Sequence, residues 1–196
     1  SNAEIHMNTR QYTTIIQGGM GAGISSWRLA GAVSRLGQLG VVSGTALDQI
    51  LARRLQDGDP GGHMRRGLDA FPVSDMAERI WHKYFVPEGK KEGSPYRLVQ
   101  AQTKENPREL IELCIVCNFV EVFLAREGHD NPVGINYLEK IQTAHLPSIF
   151  GAMLAGVAYV LVGAGIPLKI PEVLERFSSG QSAEYALHVT GTQTGD

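Results

Sequence analysis

Small residues stand directly after three apolar runs in this chain, and an asparagine near the end of a fourth, where main-chain and amide groups can be offered to a ligand. Residues 13–17 empty into Gly18-Gly19-Met20-Gly21-Ala22-Gly23, and Val41-Val42-Ser43 into Gly44-Thr45. Residues 133–137 carry Asn136, and residues 158–162 run into Gly163-Ala164-Gly165. If these runs are parallel strands, their carboxyl ends form the rim at which parallel α/β sheets bind ligands. Glycine lets a flat ring approach the main chain, while backbone groups, Ser43 and Asn136 can hydrogen-bond its edge. An isoalloxazine, with donors and acceptors along its pyrimidine edge, matches such a rim. Tight strand-to-helix turns also select glycine with no ligand involved, so each turn alone carries little.

Other chemistry-bearing residues are more scattered. Gly19-x-Gly21-x-Gly23 misses the G-x-G-x-x-G spacing, because Ile24 and Ser26 follow, and the acidic candidate Asp48 lies past the second strand, inside a helix start. A Rossmann NAD site is therefore not expected. His145 lies between the third strand and its helix, where it can face a pocket; His188 lies within a fifth run, residues 185–189. His63 sits in Gly61-Gly62-His63-Met64-Arg65-Arg66, read as a loop suited to a polar ligand. His6, His82 and His129 read as surface or packing residues, and Glu139-Lys140 as solvated charge at a helix start. Cys114 and Cys117 form one C-x-x-C inside an apolar helical stretch, which reads as two buried thiols rather than a redox or zinc pair.

The elements that must position these groups follow from periodicity. Ser25 or Ser26 caps a helix whose apolar face is Trp27, Leu29, Ala30, Val33 and Leu36. Further helices are expected over 47–56, within 69–84, from the Asn106 cap and Pro107 to about 126, and over 147–156 and 167–177. Residues 87–95 read as an exposed excursion, and residues 97–101 as an unassigned stretch compatible with a strand. Strand, loop, helix and strand in succession predict a parallel sheet.

Composition narrows the function classes. The chain has 196 residues, 43% hydrophobic and 19% charged, with a formal net charge of −2. Charge so close to zero gives no electrostatic reason for nucleic acid or an anionic membrane as partner. No apolar run reaches the roughly 18 residues of a bilayer span, and no signal-like leader is read, so a cytoplasmic protein is expected. Ser1-Asn2-Ala3 reads as the remnant of a cleaved tag, leaving residues 4–196 as part of one domain, with a helical and loop excursion near 60–130.

Six segments carry a family resemblance. Ile15-Ile16-Gln17-Gly18-Gly19-Met20-Gly21, Ser26-Trp27-Arg28-Leu29-Ala30 and residues 39–45 resemble the opening of the nitronate monooxygenase (2-nitropropane dioxygenase) family. Residues 134–142, 151–157 and 162–167 are similar to the branch containing the stand-alone enoyl reductase of polyunsaturated fatty acid and polyketide synthases. The likeness covers most of residues 12–175 and is weakest over 60–130. It implies an FMN-binding (β/α)8 TIM barrel, of which this chain holds the N-terminal portion, about five of eight strands. Gly18, Gly19, Met20 and Gly21 would lie beside the isoalloxazine, with Ser43, Gly44, Thr45, Asn136 and Gly163 as further cofactor-binding residues.

In that family the phosphate-gripping loops and the catalytic His come from later strands, so the resemblance assigns no catalytic residue here. A closed barrel needs about 250 residues, and five strands leave an open edge and an apolar face. Three readings follow. One is an FMN-dependent oxidoreductase oxidising a nitronate or nitroalkane with O2. The second is an NAD(P)H- and FMN-dependent trans-acting enoyl reductase of a fatty acid or polyketide synthase. The third is an inactive fragment or assembly module that pairs through its edge as a homo-oligomer or with a synthase partner.

Overall fold

Leu39, Gly40, Val41, Val42 and Ser43 are buried without interruption, the pattern of a strand covered on both faces. This strand, β2 (Leu39–Ser43), is the second of a four-stranded sheet in the computed structural model, which describes residues 14–103, 105–140 and 143–185. The others are β1 (Ile16–Gln17), β3 (Val133–Leu138) and β4 (Tyr159–Gly163). All pair in parallel, in the order β1-β2-β3-β4, with Ser43 opposite Asn136 and Leu138 opposite Gly163. The expected parallel α/β sheet is therefore present with four strands among the described residues. Of residues 185–189, only Tyr185 is described, and it lies outside any strand.

Among the described residues seven helices connect and flank the strands. α1 (Trp27–Arg35) links β1 to β2, and α6 (His145–Leu154) links β3 to β4. Between β2 and β3 run α2 (Leu47–Gln56), α3 (His63–Asp69), α4 (Ser74–Tyr84) and α5 (Arg108–Arg126), and α7 (Ile170–Ser178) follows β4. Sequential parallel strands joined by crossovers of one hand place the linking helices on one face of the sheet. Val42, Val133, Ile135 and Tyr137 join that helix-side core, whereas Leu39 and Val41 do not.

α5 is the pillar of the helix layer. It is buried nearly all round, as expected for a helix apolar on every face. Its neighbours approach closely through glycine: a Cβ at Gly31 of α1 would stand 2.9 Å from Ala125 O, and one at Gly151 of α6 would enter the Ile115 backbone. Two buried carboxylates on α5 are both paired. Glu112 meets Arg79 at 2.8 Å and Arg108 at 2.8 Å. Glu121, only 3% exposed, binds Arg54 of α2 and accepts the Trp27 N–H at 2.8 Å.

Several sequence-based boundaries move, each for a local reason. Ser26 occupies the N-cap of α1 but makes no side-chain cap; Glu121 supplies the acceptor from another helix instead. Asn106 does not cap α5: its amide turns back to Gln102 and Thr103, and Pro107 takes the N-cap place with extended ψ. His63 and its neighbours are not a loop but the start of α3, because the buried Asp59 carboxylate accepts the Met64 and Arg65 N–H groups at 2.8 Å each. The helix expected within 69–84 is confined to α4. Residues 97–101 form no strand, since Gln56 meets the Arg97 N–H and C=O at 2.6 and 3.2 Å in place of a ladder. His145 is the first residue of α6, and Glu139-Lys140 do not begin a helix.

Both edges of the described sheet are open. Ile16 of β1 and Ile15 before it are 58% and 60% exposed, and Tyr159 of β4 is exposed as well. Among the described residues no helix is long and apolar enough to cross a membrane.

The Glu121 pairing makes a testable claim about stability. Glu121→Ala leaves the Trp27 N–H without its acceptor and Arg54 without its counter-charge, and is expected to cost about 3 kcal/mol in a urea titration. Lys83→Ala, which removes an exposed pair with Glu109, should change stability by less than about 1 kcal/mol. Equal losses in the two variants would show that Glu121 has no special structural role.

Candidate functional site

The strand exits meet at one edge of the sheet, because all four strands run the same way. The first exit is built by Gln17 and Ser25. β1 leaves the sheet after Gln17, and the Gln17 side chain then replaces a peptide unit: its Oε1 accepts the Val41 N–H at 3.1 Å and its Nε2 lies 3.3 Å from Val41 O. Ser25 Oγ accepts the Met20 N–H at 2.8 Å and donates to Gly18 O at 3.2 Å. Ser25 O in turn accepts the Ser43 N–H at 2.9 Å, so the glycine loop is tied to the end of β2.

Asn136 stands at the centre of the rim. Side chains alternate along a strand, so Asn136 faces away from the helix layer that its neighbour Tyr137 enters. Its Nδ2 donates to Gly19 O at 2.8 Å, joining the first and third exits across β2. Its Oδ1 lies 4.0 Å from where a Cβ on Gly163 would be, with no other atom as close to that place.

The nominated glycines divide into two kinds. A Cβ at Gly19 would stand 2.8 Å from the Asn136 Cβ and 2.9 Å from Val42 O, and one at Gly44 would collide with the Tyr137 ring. Packing alone requires glycine there. Gly21 has φ of +65°, a backbone requirement. Gly18 has nothing within 4 Å of its Cβ position, and Gly163 has only the Asn136 oxygen. These two leave room for a ligand.

The structure brings Gly18, Gly19, Ser43, Gly44, Asn136 and Gly163 to the same end of the sheet. Ser43 is buried, so it serves the loop architecture more than an open surface. Met20 is 68% exposed on the loop. Gly44 and Thr45 also line a cavity of about 270 Å³ on the helix side of β3.

That cavity gathers residues whose grouping was not legible in the sequence. Tyr137 OH donates to Asn118 Oδ1 at 2.7 Å, and Asn118 Nδ2 donates to Cys114 O at 2.8 Å. Gln102 Nε2 reaches Cys114 Sγ at 2.9 Å from the segment above. The cavity is also where His145 lies, as its place after the third strand suggested. The linking signal was weak, because these residues come from β3, α5, α6 and an irregular segment separated by long stretches of chain.

The remaining histidines serve other parts of the molecule. His63 packs against Trp27 with ring centroids 5.0 Å apart and approaches Arg66, and His129 contacts Ala125 O at 2.8 Å. His82 lies exposed beside Glu78 at 3.5 Å. His6 and His188 fall outside the described residues. Cys114 and Cys117 are both free and buried, as their helical setting suggested.

Compared with known proteins, the chain matches no family model and no curated protein sequence.

Two measurements follow from this geometry. Burial, with the Asp48 charge adding to it, pushes the Cys114 thiol up to about 12, and burial pushes Cys117 up as well. Native protein at pH 8 should therefore react with a thiol reagent at neither cysteine, whereas unfolded protein should react at both. Raised thiol values make the unfolded chain the first to lose protons, so this contribution to stability should fall as pH rises from about 8.5 toward 12. Rapid native labelling at pH 8 would contradict this. Separately, Gly44→Ala should lower stability by about 1–3 kcal/mol through overpacking on Tyr137, while Gly18→Ala leaves stability within about 0.5 kcal/mol. Equal stability of the two would remove the distinction drawn between these glycines.

Proposed function

We propose that the chain is the flavin-cradling part of an FMN-dependent oxidoreductase of the nitronate monooxygenase type, one that oxidises a nitronate or nitroalkane with O2. The observation that supports this most is the pairing of open space beside Gly18 and Gly163 with the carboxamide of Asn136. The resemblance of the Gly18–Gly21 loop and of the strand exits to that family agrees with it. A parallel sheet with its strands in sequential order is compatible with the first strands of a barrel.

The residues present fit the edge of an isoalloxazine. Asn136 is held by its Nδ2 bond to Gly19 O, which leaves Oδ1 to accept an N–H from a ring edge. Gly18 and Gly163 contribute no side chain where the ring would stand. The exposed Met20 side chain offers apolar surface that a bound ring would cover. FMN supplies two-electron acceptance from substrate and delivery to oxygen. This chain's residues contribute position: Asn136 orients the ring edge, and the Ser25 tether keeps the glycine loop from closing over it.

The test is flavin titration of the protein. FMN fluorescence should be quenched on binding, and Gly163→Val, which fills the open place without strain in a strand, should weaken binding at least tenfold with an unchanged melting temperature. A protein that takes up no FMN, or a Gly163→Val variant that binds it as well as the unaltered chain, would remove the flavin assignment. With FMN bound, oxygen consumption driven by a nitronate supports the monooxygenase reading. Consumption of an enoyl thioester with NADPH, and none of nitronate, would replace it with the enoyl reductase.

A further inference from the structure

The helix-side cavity has no place in the flavin reading. It is bounded by the turn 44–46 and the first turn of α2, the segment 100–102, the middle of α5, the end of β3 and the start of α6. Tyr137 enters it from the face of β3 opposite to Asn136. Leu47, Leu138, Ala144, the two thiols and the Tyr137 ring give it an apolar side.

The other side is charged. Asp48 lines the cavity, and no lysine or arginine does. Its Oδ1 accepts the Gln49 N–H at 2.8 Å, so one oxygen serves the start of α2. Its Oδ2 is approached only by Gln102 Nε2, at 3.5 Å, beyond the range of a good hydrogen bond. The same Gln102 nitrogen reaches Cys114 Sγ at 2.9 Å, so Oδ2 stands toward the α5 wall. Burial first, and the Asp48 charge next, push the Cys114 thiol up, in keeping with that placement. Among the described residues Asp48 makes no ion pair, unlike Glu112 and Glu121 of α5.

A second, independent group faces the same space. Ala144, His145 and Ser148 share the face of α6 that lines the cavity, at the spacing of one helical surface. Ser148 is 6% exposed, yet its hydroxyl has no hydrogen-bond partner among the described residues. It therefore offers a further acceptor to whatever enters. No three His, Cys, Asp or Glu side chains gather as metal ligands among the described residues, so the matching cation is an organic one.

We propose that this cavity binds a small primary ammonium on a compact apolar body, its charge paired with Asp48 and Ser148 supplying a further acceptor. Size sets the class. A dry cavity of about 150 Å³ holds benzene, so one of about 270 Å³ accommodates an arene with a short aminoalkyl chain. The site does not depend on flavin at the opposite face, and neither result bears on the other.

2-Phenylethylamine and 2-phenylethanol test it, being alike in shape and differing in the charged group. Each is titrated at pH 8 into the full chain while the backbone 15N signals of Gln49 and Ser148 are followed. The amine is expected to shift both signals and to bind about tenfold more tightly than the alcohol, as a charge-assisted hydrogen bond allows. 3-Phenylpropanoate, of similar bulk and opposite charge, should bind more weakly than either. Asp48→Asn keeps the shape and the acceptor for Gln49, and should bring the amine down to the affinity of the alcohol. A lysine side chain could present the same ammonium, and butylamine, which imitates one, should bind more weakly than the aryl amine. Equal or tighter binding of the alcohol, the propanoate or butylamine by the unaltered protein, or unmoved signals at saturating amine, would overturn the proposal whether or not the variant folds. So would a folded Asp48→Asn protein that still prefers the amine.

Discussion

The carboxylate of Glu121 is the junction on which the helix layer depends. It sits on α5, begins α1 by accepting the Trp27 N–H, and holds α2 through Arg54. Three helices separated widely in sequence therefore meet at a single buried charge. Such a charge is tolerable only when each oxygen has a partner, so the positions of α1 and α2 are fixed by the need to satisfy it. Because α1 leads into β2 and α2 follows it, the same junction sets where the first two strand exits stand. Glu112, between Arg79 and Arg108, repeats the arrangement nearer the start of α5, on the side that α4 covers.

The sheet was legible because its strands are short apolar runs ending in small residues, a pattern that survives without knowledge of tertiary contacts. The helix boundaries were less so. Ser26 and Asn106 are good capping types, yet one helix start is served by a distant Glu121 and the other is displaced by Asn106 turning toward Gln102. α3 was hidden because the acceptor for its first turn, Asp59, is separated from it by Pro60-Gly61-Gly62. Residues 97–101 look strand-like, but Gln56 and Gln49 take up backbone groups that a neighbouring strand would have used. In each case a side chain remote in sequence competes with the local rule.

The rim shows the same division at finer scale. Glycine abundance after strands could be read from the sequence, but not which glycines are there for packing. Gly19 and Gly44 are occupied by their neighbours, Gly21 answers a backbone angle, and only Gly18 and Gly163 face space. The central role of Asn136 was partly legible from its place in the third strand. Its bond across β2 to Gly19 O was not, since it depends on how far the loop folds back. The helix-side cavity was the least legible feature, because its wall is assembled from five separate segments and an interior histidine resembles any other until its partners are counted.

The Gln17 carboxamide has a wider consequence. Val41 presents one donor and one acceptor to β1, and a single amide side chain of the right length meets both with opposite polarity. A carboxylate would match only the donor, and a shorter amide would fall short of the pair. The length of the first strand is thus encoded in a side chain imitating the main chain, and the chain is released from the sheet one residue sooner than backbone pairing would permit.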